Sequence, residues 1–188
     1  LTVETHDTLL VFTDKGRVFK LKAFEIPESS RTAKGTAIVN LLNLKSEEKV
    51  LSILVVDEEK DKDKFIVLAT VRGLIKKTAV QLFGNIRQNG IIAITLNDGD
   101  SLVKGMLTSG RNDLMLITHN GKSIRFSETE VKSSQRDTKG VKGITIKKDD
   151  YVVGFEVISQ EELEDKTCRS QLLLVTENGM GKRTKLTQ

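Results

Sequence analysis

The chain has 188 residues, 30% charged and 38% hydrophobic, a balance that belongs to folded globular chains and excludes a disordered polyelectrolyte. No apolar run approaches the ~20 residues of a membrane-spanning helix, and the single cysteine, Cys168, excludes an internal disulfide framework and suits a reducing cytoplasm. The net charge of +4 is uneven: Asp57–Lys64 and Gln160–Arg169 each sum to −2, leaving +8 on the remainder. A framework more basic than its loops points to a polyanionic partner.

In chain order, the first element is L-L-V-F-T-D-K-G-R-V-F-K from Leu9. Four apolar residues are too few for a helix and suit a strand buried on both faces. Thr13 and Gly16 then mark a tight hairpin whose glycine takes a positive φ. In the return strand, Lys20 and Lys22 alternate with Phe19 and Leu21. A second mark follows, S-R-T-A-K-G-T-A-I-V-N-L from Ser30, with Arg31 and Lys34 beside Gly35 and another apolar strand after it. Asp57–Lys64, rich in acids, is expected to be an exposed loop.

The pattern then returns. I-V-L-A-T-V-R-G-L-I-K-K from Ile66 carries Thr70, Gly73 and Lys77, and I-R-Q-N-G-I-I-A-I-T-L from Ile86 carries Arg87 and Gly90. L-M-L-I-T-H-N-G-K-S-I-R from Leu114 carries Thr118, Gly121 and Arg125, and Q-R-D-T-K-G-V-K-G-I-T-I from Gln135 carries Arg136, Lys139 and Gly140. Polar turns at Asn97 and Lys147 each precede a further apolar strand, which closes the unit. Gln160–Arg169 is expected to be a second acidic loop. L-L-L-V-T-E-N-G-M-G-K-R from Leu172 repeats the hairpin with Thr176, Gly179 and Arg183.

Hairpin glycines thus recur at intervals of 57, 48 and 58 residues, the longer two holding the acidic segments. Self-similarity at this period implies a repeat architecture. Each unit has about four short antiparallel strands, the size of a propeller blade. The expectation is an all-β domain over 1–188, with blades at about 8–56, 65–109 and 114–159 and an incomplete one at 172–188. Three and a half blades are too few to close a ring, as in a piece of a larger disc.

Enzyme chemistry finds little support. His6 and His119 are far apart, and His119 fills a turn position held elsewhere by Asp14, Val71 and Glu177. Cys168 lacks partners at metal-ligand spacing, Asp98–Asp100 reads as a turn rather than a calcium loop, and Gly179 and Gly181 lack a phosphate-loop context. No catalytic residue, metal or cofactor is expected. The sharper signal is a base four residues after every hairpin glycine: Lys20, Lys77, Arg125 and Arg183. A base repeated once per blade suits a rim that holds nucleic acid through phosphates without reading sequence. A protein-interaction platform is the alternative, though aromatic anchors for one are scarce.

These two marks resemble the C-terminal domain of DNA gyrase A, above all in R-V-F-K-L-K-A-F-E-I-P-E-S-S-R-T-A-K-G-T-A-I-V-N-L-L from Arg17. The resemblance continues through N-G-K-S-I-R-F and N-G-M-G-K-R-T. It implies a β-pinwheel, a propeller-like disc with a basic rim that wraps double-stranded DNA. It carries that role onto Arg31, Lys34, Arg136 and Lys139. The implied partners are the rest of gyrase A and the whole of gyrase B, in a cytoplasmic, nucleoid-associated, ATP-driven enzyme that introduces negative supercoils. The family's box Q-R-R-G-G-K-G is absent, its nearest echo being Q-R-D-T-K-G from Gln135. In the family the box belongs to the first blade, which would precede Leu1. The A-type subunit of topoisomerase IV carries a related domain and is the nearest rival.

Overall fold

The computed structural model describes residues 2–164 and 171–185. The first round of the chain contains β1 (Thr8–Thr13), β2 (Arg17–Lys22) and β3 (Val50–Val56). The second contains β4 (Phe65–Thr70), β5 (Leu74–Ala79), β6 (Ile91–Ile92) and β7 (Leu102–Thr108). The third contains β8 (Asp113–Thr118), β9 (Ser123–Ser127), β10 (Val141–Lys142) and β11 (Val152–Ile158). A short helix, α1 (Gln160–Glu164), precedes a last hairpin of β12 (Gln171–Val175) and β13 (Gly181–Lys185). The protein is all-β, with every paired strand antiparallel.

The four hairpins are built alike, and the threonine explains why. In each turn the glycine N–H donates to the threonine carbonyl: Gly16 to Thr13 at 3.1 Å, Gly73 to Thr70 at 3.0 Å, Gly121 to Thr118 at 3.0 Å and Gly179 to Thr176 at 2.9 Å. The threonine hydroxyl then accepts the N–H one residue past the glycine, from Arg17, Leu74, Lys122 and Met180. A small β-branched hydroxyl fits both a strand end and this second bond. All four glycines have positive φ, between 72° and 81°.

The sheets differ from four successive strands per unit. Their orders are β3-β1-β2-β6, β10-β5-β4-β7 and β11-β8-β9. The outer strand of a sheet is therefore lent by the following unit: Ile91 and Ile92 pair with Val18 and Arg17, and Val141 and Lys142 with Ile75 and Leu74. The glycine carbonyl of the receiving turn continues the exchange, with Gly16 accepting from Ala93 and Ile94 and Gly73 from Gly143 and Ile144. The corresponding segment of the first unit, after Gly35, forms a 3-10 turn at Ile38–Asn40 instead of a strand, and a Cβ on Gly35 would meet nothing within 4 Å. Its counterparts Gly90 and Gly140 press against Phe19 and the Ile75 carbonyl.

The core runs between sheets. Alternate residues of β4 face opposite ways: Ile66 and Leu68 join Leu10, Phe12, Phe83 and Leu102, while Val67 and Ala69 join Leu114, Leu116 and Phe155. This double burial is what the continuous apolar runs require. The strands β3, β7 and β11 lie beside one another at one edge of the stack, with the Ser52 hydroxyl 3.1 Å from the Gly105 carbonyl. The lent strands occupy the opposite, outer edge.

Both acidic segments carry more structure than loops. Asp61 is buried, its carboxylate accepting the Asp57 N–H at 2.9 Å and pairing with Lys64 at 2.8 Å. Glu58 pairs with Lys20 at 2.5 Å, and that contact holds its carboxyl below the usual glutamate range despite some burial. In the second segment Gln160–Glu164 is helical, because Ser159 and Glu162 form a reciprocal capping box at 3.1–3.2 Å. Cys168 and the rest of that segment lie outside the described residues. His119 stacks on Tyr151 with ring centroids 4.8 Å apart, a local packing role.

Candidate nucleic-acid interface

The base four residues past each hairpin glycine occupies one register: Lys20 opposite Leu10, Lys77 opposite Val67, Arg125 opposite Met115 and Arg183 opposite Leu173. Equivalent backbone does not give equivalent side chains. Lys77 is 7% exposed, donates to the Glu128 carbonyl at 2.7 Å and lies 5.3 Å from the centre of the Phe65 ring. Lys20 is half-buried and donates to the Gly84 carbonyl at 2.9 Å. In both cases the acceptor belongs to the 3-10 turn of the next unit or its C-cap, so these two lysines are pins between neighbouring units. The register was expected to place Lys77 on a DNA-holding rim; the structure instead buries it between units. Arg125 pairs with Asp113 at 2.8 Å, and Arg183 is exposed on β13.

The second marks form turns, those of the second and third units just before the lent outer strands. Arg31 and Lys34 are exposed, Lys139 is exposed and Arg136 is half-buried. Each turn after the first is held by the unit before it. The Arg17 guanidinium pairs with Glu48 at 2.6 Å, stacks 4.7 Å over Phe19 and donates to the Asn89 carbonyl, in the Arg87–Gly90 turn. The Lys76 ammonium, on a residue only 1% exposed, donates to the carbonyls of Ala93, at 2.8 Å, and Arg136. Burial pushes the Lys76 ammonium down to about 8, with Asp137 opposing the shift and Arg136 adding to it.

These turns converge. A groove of about 920 Å³ is lined by Lys20 and Lys22 of the first unit, Arg87 of the second and Arg136 of the third, with Glu25 as its one acid. Arg31, Lys34 and Lys139 do not line it. Lys22, Arg17 and Lys76 went unmarked as site residues in the sequence. For Lys76 a signal existed, since two adjacent lysines in a strand must face opposite ways. Among the described residues no group of three His, Cys, Asp or Glu side chains could hold a metal ion.

Comparison with known proteins places the chain. The family model described as DNA gyrase C-terminal domain, beta-propeller, matches residues 7–57, 64–109, 112–159 and 170–188. DNA gyrase A of Staphylococcus aureus (strain NCTC 8325 / PS 47) is 41% identical over 184 residues, covering 98% of this chain and 20% of that protein. The chain thus spans about a fifth of the length of the curated relatives it matches. Among solved structures, the C-terminal domain of DNA topoisomerase IV superposes with a TM-score of 0.85 at 29% identity, over 98% of this chain and 55% of that one. A DNA gyrase A C-terminal domain superposes with a TM-score of 0.76 at 27% identity, over 98% and 56%. With matching segments running through all four hairpins, this chain belongs to the family of DNA gyrase C-terminal domains, built as β-propellers.

Proposed function

We propose that the chain binds double-stranded DNA along its outer edge without reading sequence, as the wrapping domain of a gyrase A-type protein. The observation that carries this is the groove in which Lys22, Arg87 and Arg136, from three successive units, stand together with one acid between them. Bases gathered from three units suit a phosphate backbone, and phosphate contacts supply affinity that is indifferent to base order. Arg31, Lys34 and Lys139 extend the track on the neighbouring turns, and Arg125 and Arg183 on the outer strands. In the parent enzyme the partners are the remainder of gyrase A together with gyrase B, the activity ATP-dependent negative supercoiling, and the setting the bacterial nucleoid.

The test is a titration of unrelated duplexes at several salt concentrations, comparing wild type with a variant carrying Arg31, Lys34, Arg136 and Lys139 as alanine. Affinity falls alike on all sequences, and the log–log salt slope flattens by about 0.9 for each phosphate no longer neutralised. An unchanged slope moves the track elsewhere, and salt-insensitive binding returns a protein-interaction role to first place.

The closer superposition on the topoisomerase IV domain favours one second reading, the A-type protein of a topoisomerase IV. Supercoiling against decatenation by the parent enzyme separates the two.

A further inference from the structure

The turn Gln135–Gly140 meets the second unit through its carbonyls. The Arg136 carbonyl accepts from Lys76, the Asp137 carbonyl accepts the Thr95 hydroxyl at 2.6 Å, and the Thr138 carbonyl accepts the Thr95 N–H at 3.1 Å. In a trans peptide the C=O and the following N–H point in opposite directions. Three successive carbonyls turned inward therefore turn the N–H groups of Asp137, Thr138 and Lys139 outward. That of Thr138 closes the turn onto the Gln135 carbonyl at 3.3 Å. Those of Asp137 and Lys139 point away from the second unit, and Arg136 beside them lines the groove; aligned peptide N–H groups make a concavity for an anion.

We propose that Lys76 is a positioning residue for phosphate recognition: its buried ammonium, by capping the Arg136 carbonyl, sets the turn so that the Asp137 and Lys139 amides and the Arg136 guanidinium face one DNA phosphate. This rests on the DNA-binding role proposed above. In the preceding seam the turn is fastened at a different point: Arg17, two positions earlier in its repeat, caps the carbonyl of Asn89, next to Gly90, while the Arg87 carbonyl accepts the Gly90 N–H at 2.8 Å. A cation of the preceding unit holds each turn, but Lys76 does so at the arginine itself. A lysine kept 1% exposed, at the cost that its lowered proton affinity records, fits the same role.

The experiment titrates the whole chain with a short duplex over a range of salt. Lys76→Met reduces the salt slope by about 0.9, as Arg136→Ala does. The two changes combined give no further loss, while Lys76→Met combined with Arg31→Ala is additive. A Lys76→Met protein that is less stable to urea but unchanged in slope, or additive with Arg136→Ala, overturns the proposal. A second measurement needs no variant. In the wild type the amide resonances of Asp137 and Lys139 shift on adding duplex, and their constancy while other resonances shift also overturns it. Salt-dependent duplex binding absent from the wild type sinks the DNA-binding role itself, an outcome distinct from either.

Discussion

The Glu48 carboxylate is fully enclosed, and Arg17 meets it at 2.6 Å while reaching on to the next unit. The Thr13 hydroxyl at 2.7 Å and the Lys45 N–H at 2.8 Å donate to it as well. The pair joins the turn of one hairpin to the Arg87–Gly90 turn of its neighbour. Arg17→Met strands a buried charge and is expected to cost about 3–5 kcal/mol in urea unfolding. Replacing Glu48 by Gln in the same protein recovers part of that loss. A full loss that Glu48→Gln leaves untouched would show that Arg17 acts through Asn89 alone.

Two hairpin glycines of similar φ, 81° and 77°, differ in what surrounds them. A Cβ on Gly73 would lie 2.8 Å from the Ile144 carbonyl, whereas one on Gly121 meets nothing within 4 Å. Gly121→Ala therefore costs only the left-handed backbone, about 1–2 kcal/mol. Gly73→Ala also pushes the lent strand off its turn and costs on the order of 3 kcal/mol or more. Equal losses from the two, measured by chemical denaturation, would mean that the seam yields at no cost.

Stability is expected to rise in mild alkali. Unfolded, Lys76 keeps its proton up to its ordinary 10.5, while burial in the fold releases it near 8. Between those values the unfolded chain binds more protons, so ΔG of unfolding increases with pH, by at most about 3 kcal/mol from this group. The gain is complete above 10.5 and lost as pH falls through 8. Urea midpoints of wild type and Lys76→Met at about pH 7.5, 8.5 and 9.5 measure it as their difference. A difference that stays flat would place the lysine in water.

The acidic segment Asp57–Lys64 divides into an anchored part and a free tip. Asp61→Ala removes the acceptor of the Asp57 N–H and the partner of Lys64, and is expected to cost about 1–2 kcal/mol. Asp63→Ala, at an exposed position, stays within about 0.5 kcal/mol. Thermal melts of both suffice, and the reverse order would mean that Asp61 is held by nothing that matters.

The hairpins were legible in the sequence because their causes are local. A run such as Ile66–Ala69 needs cover on both faces, and Gly73 needs positive φ, whatever the rest of the chain does. The exchange of outer strands was not legible. Ile91–Ile92 and Val141–Lys142 are too short to show a period, and nothing within them names the hairpin they join. The direction of the repeated bases escaped for a related reason. Alternation puts Lys76 and Lys77 on opposite faces, but it is silent on whether solvent or another unit covers each face. Here a neighbour covers both, so a position marked by the repeat as a candidate DNA contact became an internal fastener. The basic turns lie at the surface or at the groove, with Arg31 exposed on its own turn and Arg136 in the groove lining.

Because the first two sheets borrow their outer strands from the units that follow, the order of synthesis matters to this protein. On the ribosome, β2 emerges long before Ile91 and Ile92 exist, and β5 waits in the same way for Val141 and Lys142. Until then each nascent sheet carries a bare edge, the kind of surface that seeks any available strand. Completion of one unit is thus deferred to the arrival of the next, and maturation of the domain advances along the chain as a series of delayed closures.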